Sequence, residues 1–313
     1  MNAKSNVAAP LFALLVVNYG SSQLLEENLA TIDVDSVGGV VVVVDNFTSV
    51  SERTRVSQLA AKYDWVPVPL DENRGFGGGM NAGAKRAIEL GAEVLIALNP
   101  DATLAPSVLR ALTTSVTVDP KLMVAPEIRT STGRVWFDGM DLHLASGRVF
   151  SERRKRRPRG TSVPWITGAC FAVSREMWEE LQGFDEEYFL YWEDVDLSVR
   201  FVAAGGRLKV NRHLVATHDE GGTQGIGSGS TGKSENYYYY NIRNRLYFAA
   251  KHLDSRLANR WLLNAPSVSY QILRAGGRRH LLRSIAPWRA YVTGLVSGAG
   301  KIVRLRAEQP HRH

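Results

Sequence analysis

Short runs of branched apolar residues alternate with segments of helical spacing in the first half of the chain. The apolar runs lie at residues 11–17, 40–44, 65–70 and 94–98. The segments of helical spacing lie at residues 23–30, 51–63, 79–90 and 105–116. Continuous apolar strands between helices are typical of a parallel sheet that helices cover on both faces. The alternation therefore predicts an α/β fold with a doubly wound, mostly parallel sheet.

Polar residues follow each of the four predicted strands. The strand ends read Asn18-Tyr19, Asp45-Asn46, Asp71-Glu72-Asn73-Arg74 and Asn99-Pro100-Asp101. In open α/β sheets, ligands bind beyond the carboxyl ends of the strands. The four ends together predict a polar binding rim.

A glycine-rich run at residues 73–83 follows the third strand and opens a helix. Glycines permit a close approach of a ligand, and the amides of a helix start favour phosphate. The same run would also suit a tight turn with close helix–strand packing, and both interpretations stay open. A hydride-transfer cofactor is not expected, because its glycine fingerprint belongs after the first strand, which ends in Asn18-Tyr19-Gly20-Ser21.

Two residues are candidate metal ligands. Asp101 follows the fourth strand, where a carboxylate can hold a hard divalent cation or cap the next helix. His218 precedes a glycine- and serine-rich segment, residues 221–232, and is either a ligand or a structural histidine. The residues alone leave both alternatives open.

Residues 183–196 contain six carboxylates and five aromatic rings. Rings beside acids form a partly dry wall in which the proton affinity of a carboxylate can be tuned. Glu193 and Asp194 lie at the predicted start of a helix over residues 194–203, so they are the best candidates for a general base. We expect Asp196 to pair with Arg200 on the surface, since the two are four residues apart, and Asp185 to cap a turn.

The remaining elements follow from local patterns. Residues 135–148 predict a hairpin, residues 153–159 a basic loop, residues 163–173 a strand and residues 175–181 a helix. From residue 236 the pattern is helical to the end of the chain. We expect a domain over residues 1–250, with two halves at 1–118 and 119–250, followed by a basic tail at 251–313.

Six motifs occur in one order along the chain. They are Val16-Val17-Asn18-Tyr19, Asp45-Asn46, Asn73-Arg74-Gly75-Phe76-Gly77, Asn99-Pro100-Asp101, Thr167-Gly168-Ala169-Cys170 and the run from Gly183 to Leu197. So ordered, they resemble inverting family 2 glycosyltransferases with the GT-A fold, particularly the bacterial rhamnosyltransferase-like branch. The resemblance covers residues 9–253, counting Tyr239, Asn241, Arg243, Asn244 and Arg245.

The resemblance implies a nucleotide-sugar-binding half at residues 1–118, an acceptor-binding half at residues 119–250, and roles for individual residues. Asp194 would deprotonate the acceptor hydroxyl, with Glu193 as its neighbour. Asp101, with His218 as a further ligand, would bind the Mg²⁺ or Mn²⁺ that bridges the diphosphate. The nucleotide sugar would be held by Asn18, Tyr19, Asp45, Asn46, Asn73, Arg74, Gly75, Phe76, Gly77, Asn81, Asn99 and Asp101. The acceptor and sugar pocket would be shaped by Trp165, Thr167, Gly168 and Trp192.

One position departs from the usual family pattern, because residue 99 is Asn where an acid is usual. An amide is a weaker metal ligand than a carboxylate, so the resemblance implies modest metal affinity.

The implied donor is dTDP-L-rhamnose, and the implied acceptor is a cell-envelope or lipid-linked glycan. The alternatives are another hexosyl- or galactofuranosyltransferase, a sugar-phosphate nucleotidyltransferase and a non-catalytic glycan-binding protein.

The net charge of +7 is concentrated in the tail. Residues 251–313 hold 12 Lys and Arg against Asp254 and Glu308, a balance of +10, whereas the other 26 basic and 29 acidic residues give −3. An apolar stripe lies beside these cations, which predicts either an interfacial helix on an anionic membrane or a helix docked on the domain or a second subunit. The stripe comprises Ile285, Trp288, Val292, Leu295, Ala299 and Ile302.

Two further expectations follow from composition. Nucleic acid is not expected as a partner, because the strand-end rim carries acids. The single cysteine, Cys170, excludes an internal disulfide and fits a reducing compartment, so we expect a cytoplasmic protein, placed at the inner face of the plasma membrane if the tail binds lipid.

Overall fold

The computed structural model describes residues 11–151, 159–218, 233–275 and 277–308. Within these residues the chain forms two compact units of three segments each. The first unit comprises residues up to 138, 166–184 and 200–223, and the second comprises residues 139–165, 185–199 and from 224 onwards. The predicted boundaries at residues 118 and 250 divide the chain by function rather than by packing, and they stay a prediction.

The regular elements alternate as the apolar pattern indicated. The strands are β1 (Phe12–Asn18), β2 (Gly39–Asp45), β3 (Val66–Pro69), β4 (Val94–Leu98), β5 (Ala102–Leu104), β6 (Leu122–Arg129), β7 (Val135–Phe137), β8 (Met140–His143), β9 (Arg148–Ser151), β10 (Ser162–Trp165), β11 (Cys170–Ser174) and β12 (Arg207–His218). The helices are α1 (Ser22–Glu27), α2 (Val50–Tyr63), α3 (Gly75–Glu89), α4 (Pro106–Val118), α5 (Arg175–Leu181), α6 (Glu193–Ala203), α7 (Glu235–His252), α8 (Ser255–Ala275), α9 (Arg278–Arg283) and α10 (Ala286–Glu308).

A nine-stranded sheet forms the centre of the first unit. Its order is β3-β2-β1-β4-β11-β6-β12-β5, with β7 added beside β6. Strands β3, β2, β1 and β4 are parallel, whereas β11 runs antiparallel to both of its neighbours. Every residue of β1 is buried, because helices cover both faces of the sheet at this strand. The predicted α/β class with a mostly parallel sheet is confirmed.

Helix α3 packs very closely on the sheet through its glycines. A Cβ atom at Gly79 would lie 2.8 Å from Cγ1 of Val17, and one at Gly83 would lie 2.9 Å from Cγ2 of Val44. Real Cβ atoms need more room, so only glycine permits this approach. The close helix–strand packing that the glycine-rich run suggested is therefore confirmed.

The single strand predicted at residues 163–173 is wrong. Residues 166–169 interrupt it, and within this break the amide of Ala169 donates to Oγ1 of Thr167 at 3.3 Å. The two halves belong to different sheets: β11 joins the nine-stranded sheet, whereas β10 joins β8 and β9 in a three-stranded sheet of the second unit. Strands β8 and β9 form a hairpin that begins later than predicted, at residue 140, because β7 pairs with β6 in the nine-stranded sheet instead.

Four helices, α7 to α10, make up most of the second unit. Helix α10 docks on α7 through Gly294 and Gly298, where an added Cβ would lie 3.1 Å from Ile242 and 2.9 Å from Leu246. This contact confirms the docking of the tail on its own domain. The contact buries only part of the predicted apolar stripe. Ile302 is buried and Leu295 is partly buried against a hydrophobic cluster, while Ile285, Trp288 and Val292 are exposed.

Two predicted segments cannot be compared with the structure. Residues 153–158 of the predicted basic loop and the glycine- and serine-rich segment at 221–232 lie outside the described residues. Among the described residues, no helix is both long and apolar enough to cross a membrane.

Candidate active site

Asp45 lies at the end of β2 and offers a buried carboxylate oxygen. Its Oδ2 accepts a 2.8 Å hydrogen bond from Nε of Arg53, whereas its Oδ1 is buried without a hydrogen-bond partner among the described residues. An unsatisfied buried acceptor is costly unless a ligand supplies the missing donor. This position suits the predicted contact with a ribose hydroxyl or a base N–H.

Asn18 lies beside Asp45 in the β1–β2 register but is fully buried. Its Oδ1 accepts from the amide and hydroxyl of Ser21 at 3.2 and 2.9 Å, and its Nδ2 donates to Glu52 at 3.0 Å. Because both polar atoms are used within the protein, this geometry makes Asn18 a support of the loop after β1. Its direct contact with a nucleotide stays a prediction.

Glu52 is a supporting residue that the sequence did not reveal. Its carboxylate also accepts from the amide and hydroxyl of Ser22 at 2.7 and 2.8 Å, which ties the start of α1 to α2. The pattern Ser49-x-x-Glu52 is that of a capping box, and Ser49 does cap α2. That local pattern suggests a role for Glu52 within α2 alone, so it hides the contact with the neighbouring loop.

Asn46 holds the loop that opens α3. Its Nδ2 donates to Oδ1 of Asn73 and to the carbonyl of Gly75 at 3.0 and 2.9 Å, and its Oδ1 accepts from the amide of Arg74 at 2.9 Å. Arg74 and Tyr19 remain exposed, and Gly77 is buried in the first turn of α3. The predicted donor residues 73–77 therefore form one braced loop.

Asn81 connects α3 to the start of the acidic motif. Its Nδ2 donates to the carbonyl of Phe184 and its Oδ1 accepts from the amide of Phe184, both at 2.9 Å. The ring of Phe76 meets that of Phe184 edge-on at 5.7 Å between centroids. These two predicted donor residues thus fix the backbone that leads into the motif.

Asp101 and His218 come together because β5 pairs with β12. The register places His218 opposite Ala102, and Nε2 of His218 lies 3.0 Å from Oδ1 of Asp101. That oxygen and Nδ1 of His218 are buried and have no hydrogen-bond partner within the described part of the chain, so the close approach is an ion-pair distance without hydrogen-bond geometry. The alternative that Asp101 caps a helix is wrong, because α4 begins at Pro106 after Ala105.

Asp101 and His218 could supply two of the ligands of a divalent cation, and its other ligands would have to come from elsewhere. No group of three or more His, Cys, Asp or Glu residues of this kind exists among the described residues. Mg²⁺ commonly takes one or two protein ligands and fills its remaining positions with water and substrate phosphates. Two buried ligand atoms without hydrogen bonds are consistent with this arrangement. Asn99 lies two residues before Asp101, and its backbone N–H donates to the carbonyl of Ala169 at 2.9 Å.

The second unit contains a cavity of about 670 Å³ that opens beside the acidic motif. Of the four residues predicted for the acceptor pocket, Trp165 and Trp192 line this cavity, whereas Thr167 and Gly168 belong to the first unit. Glu193 and Asp194 also line it. Tyr191 of the same motif also lines it, and the remaining wall comes from the β8–β9 hairpin, α7 and α8, and includes Arg148, Phe150, Tyr237, Asn241, Arg245, Val268 and Ile272.

The adjacent acids Glu193 and Asp194 lie in different environments. Glu193 is buried, and burial together with the charge of Asp194 raises its pKa well above its ordinary value. Oε2 of Glu193 has no hydrogen-bond partner among the described residues. Asp194 is half-buried at the first turn of α6, where its Oδ1 accepts from the amide of Val195 at 2.8 Å. Glu193 is therefore suited to keep its proton, and Asp194 is the candidate base.

The predicted surface position of Asp196 is wrong. Asp196 is fully buried and accepts from the hydroxyl of Tyr188 at 3.2 Å, Nζ of Lys251 at 2.8 Å and Nε2 of His252 at 2.6 Å. Arg200 donates to the backbone carbonyls of Leu181 and Gly183, both at 2.8 Å. Spacing of four residues predicts a pair only on an exposed face, and this face of α6 is interior.

Arg245 adds a buried cation that the sequence did not distinguish. Its guanidinium donates to neutral acceptors, the carbonyls of Ser146 and Gly147 and the amide oxygen of Asn264. Burial and the charge of Arg148 lower its pKa to about 9. The cavity therefore combines two carboxyl groups with two arginines, one of them exposed.

The comparisons with known proteins agree with this geometry. Residues 9–228 match the profile of the family described as Glycosyltransferase like family 2. Since this match covers more than half of the sequence, the chain belongs to that family. It is 26% identical over 218 residues to the N-acetylglucosaminyl-diphospho-decaprenol L-rhamnosyltransferase of Mycobacterium tuberculosis, covering 61% of this chain and 70% of the relative. It is 24% identical over 201 residues to the low-salt glycan biosynthesis hexosyltransferase Agl10 of Haloferax volcanii, covering 60% of each.

Solved structures confirm the GT-A fold. The mannosyltransferase PcManGT from Pyrobaculum calidifontis, solved with GDP-Man and Mn²⁺, matches with a TM-score of 0.54 at 16% identity, over 95% of this chain and 88% of that one. GalNAc-T7, solved with UDP, GalNAc and Mn²⁺, matches with a TM-score of 0.53 at 16% identity, over 91% of this chain. The chain spans 58% of the length of GalNAc-T7.

Proposed function

We propose that this glycosyltransferase is an inverting, metal-dependent enzyme that transfers a hexose to a lipid-linked or other cell-envelope glycan. The observation that carries the proposal is the cavity in which half-buried Asp194 lies beside a buried Glu193 with a raised pKa. An aromatic wall with one acid suited to ionisation fits the deprotonation of a sugar hydroxyl. Family membership favours transfer over nucleotidyl transfer or glycan binding without catalysis.

In the proposed reaction, the acceptor oxygen forms a bond to the anomeric carbon of the donor sugar while its proton moves to the carboxylate of Asp194. The bond between the anomeric carbon and the diphosphate oxygen breaks, and the electron pair leaves with the nucleoside diphosphate. Attack opposite the leaving group inverts the anomeric configuration. Asp101 and His218 would hold a divalent cation, which when bound offsets the charge of the diphosphate.

We propose dTDP-L-rhamnose as the donor. The rhamnosyltransferase of Mycobacterium tuberculosis supports this choice at 26% identity, and the unsatisfied Oδ1 of Asp45 supports a nucleoside contact of some kind. Agl10 favours a second candidate, another hexosyl donor. The test is transfer from dTDP-L-rhamnose, UDP-sugars and GDP-mannose to a polyprenyl-diphospho-sugar acceptor, followed by mass spectrometry and by NMR of the new anomeric centre. Transfer from a different donor would refute the rhamnose assignment, and retention of configuration would refute inversion.

The tail supports peripheral binding to an anionic membrane at the cytoplasmic face. Opposite its docked face, α10 exposes the apolar side chains of Trp288, Val292, Val296 and Val303, and Ile285 just before the helix is exposed as well. Exposed arginines at 260, 274 and 283 form no ion pair with any residue that the structure describes. Apolar and cationic groups on one helical region are the features that bind anionic lipid.

Vesicle co-sedimentation tests this placement. We expect binding to vesicles that contain phosphatidylglycerol, weaker binding to phosphatidylcholine vesicles, and loss of binding in the variant Ile285→Ser with Val292→Ser. A concentration-dependent dimer that the same variant abolishes, without lipid binding, would instead assign the face to a second copy of the chain.

A further inference from the structure

The backbone just before the catalytic acids is strained. Phe189, Tyr191 and Trp192 have φ values of 62°, 65° and 74°, in the left-handed region that favours glycine. Phe189, with ψ of −53°, is the centre of a γ-turn in which the amide of Leu190 donates to the carbonyl of Tyr188 at 2.7 Å. This form of γ-turn is rare because it is strained. Three such residues within four positions require a strong external constraint.

Asn244 on α7 supplies that constraint. Its side chain is fully buried, and its Nδ2 donates to the carbonyls of Tyr188, Leu190 and Tyr191 at 2.7, 2.8 and 2.8 Å. The two hydrogens of this amide are shared among three carbonyl oxygens, which point to one spot only while the chain keeps its strained path.

Arg243 extends the constraint towards the start of the segment. Its guanidinium donates to the carbonyl of Glu187 at 2.6 Å and pairs with the Glu187 carboxylate. The same guanidinium donates to Oδ1 of Asn244 at 2.6 Å, which fixes the orientation of that amide. The ring of Phe189 also stacks on Tyr240, at 5.2 Å between centroids. Side chains from two successive turns of α7 therefore contact the strained segment from residue 187 to residue 191.

The strained segment leads directly into the proposed base. Helix α6 begins at Glu193, immediately after Trp192, and the amide of Asp196 donates to the carbonyl of Trp192 at 2.9 Å. The direction in which α6 starts, and hence the position of Asp194 in the cavity, depends on the φ values of Tyr191 and Trp192. We infer that Asn244 is a positioning residue, which holds the strained segment so that Asp194 faces the acceptor; the inference rests on the proposed function.

The variant Asn244→Ala tests this role. Without the amide, the three residues can relax to negative φ, and a displacement of about 1 Å at a reacting group can cost about 100-fold in rate. We expect kcat to fall between about 10-fold and 100-fold, with the KM for the nucleotide sugar and the Kd of the nucleoside diphosphate both within twofold of the wild type. Tyr239→Phe, on the same helix, is the control: it removes a hydroxyl contact with Ser297 and should leave kcat unchanged.

A second substitution distinguishes positioning from general support of the fold. Glycine adopts positive φ without strain, so Phe189→Gly added to Asn244→Ala should recover part of the lost kcat, although it removes the stack on Tyr240. A variant that only loosened the fold would lose more activity with the added glycine. If Asn244→Ala does not fold, Asn244→Ser, which keeps one donor, takes its place.

Hydrogen–deuterium exchange separates this inference from the proposed function. In Asn244→Ala the amides of residues 187–195 should exchange faster than in the wild type, while those of α8 and α10 keep their protection. Faster exchange with a reduced kcat supports the inference, whereas unchanged exchange or a kcat within threefold of the wild type overturns it. A wild-type protein that transfers no sugar from any nucleotide donor would instead refute the proposed function, and exchange would still report on the constraint.

Discussion

Two glycines in α10 provide a matched test of how the tail is placed. A Cβ atom added at Gly298 would lie 2.9 Å from Cβ of Leu246 and 3.1 Å from the carbonyl oxygen of Arg243, which is backbone and cannot turn away. A Cβ atom added at Gly300 meets nothing within 4 Å. The two positions lie in one helix, two residues apart, so alanine should improve helix propensity by a similar amount at both.

The two substitutions should change the free energy of unfolding in opposite directions. Alanine stabilises a helix by about 1 kcal/mol relative to glycine, so Gly300→Ala should raise the free energy of unfolding by up to that amount. Gly298→Ala has the same gain, but forcing a methyl group into a closed interface costs about 1–3 kcal/mol. The two variants should therefore differ by about 2 kcal/mol, measured as free energies of unfolding in urea. Equal stabilisation by both substitutions would contradict the docking of α10 on α7.

Three other predictions concern the buried acids. The raised pKa of Glu193 means that the folded state loses stability as pH rises from about 4.5, the ordinary pKa of the side chain, towards the raised value. Glu193→Gln lacks this loss, so its free energy of unfolding relative to the wild type should increase as pH rises above about 4.5, and a constant difference would refute the proton on Glu193. Asp196→Asn should cost about 3 kcal/mol in thermal or urea unfolding, since it weakens a buried carboxylate's contacts with Lys251 and His252; a cost under about 1 kcal/mol would contradict that network. Asp101→Asn should weaken Mn²⁺-dependent binding of a nucleoside diphosphate by calorimetry while metal-free binding is unchanged, and equal loss in both conditions would argue against a metal ligand.

The sequence predicted those strands and helices whose ends are set by neighbouring residues. Strand β4 and helix α5 begin and end at the predicted residues, because apolar runs and a serine cap act on their own neighbours. The break at residues 166–169 escaped prediction, since a run of mostly apolar residues does not say that its two halves join different sheets. The error was in tertiary pairing rather than in propensity.

The candidate site shows the same division. Asp45, Asp101 and Asp194 could be selected because strand ends and helix starts place polar groups where ligands bind. The supporting residues could not, because their contacts span long distances in sequence: Asn81 reaches Phe184 and Asn244 reaches Tyr188. Asp196 was misjudged for a related reason, since the spacing to Arg200 is visible in the sequence while the burial of that helix face is not.

Sugar transfer by Asp194→Asn is the most direct test of whether Asp194 is the general base. The substitution keeps the size of the side chain and removes its ability to accept a proton, and loss of a general base typically costs about 10²- to 10⁴-fold in rate. We expect kcat to fall by at least about 100-fold, with the Kd of the nucleoside diphosphate and the thermal unfolding midpoint close to those of the wild type. Transfer at a near-normal rate by a folded Asp194→Asn enzyme would contradict the assignment of Asp194 as the base.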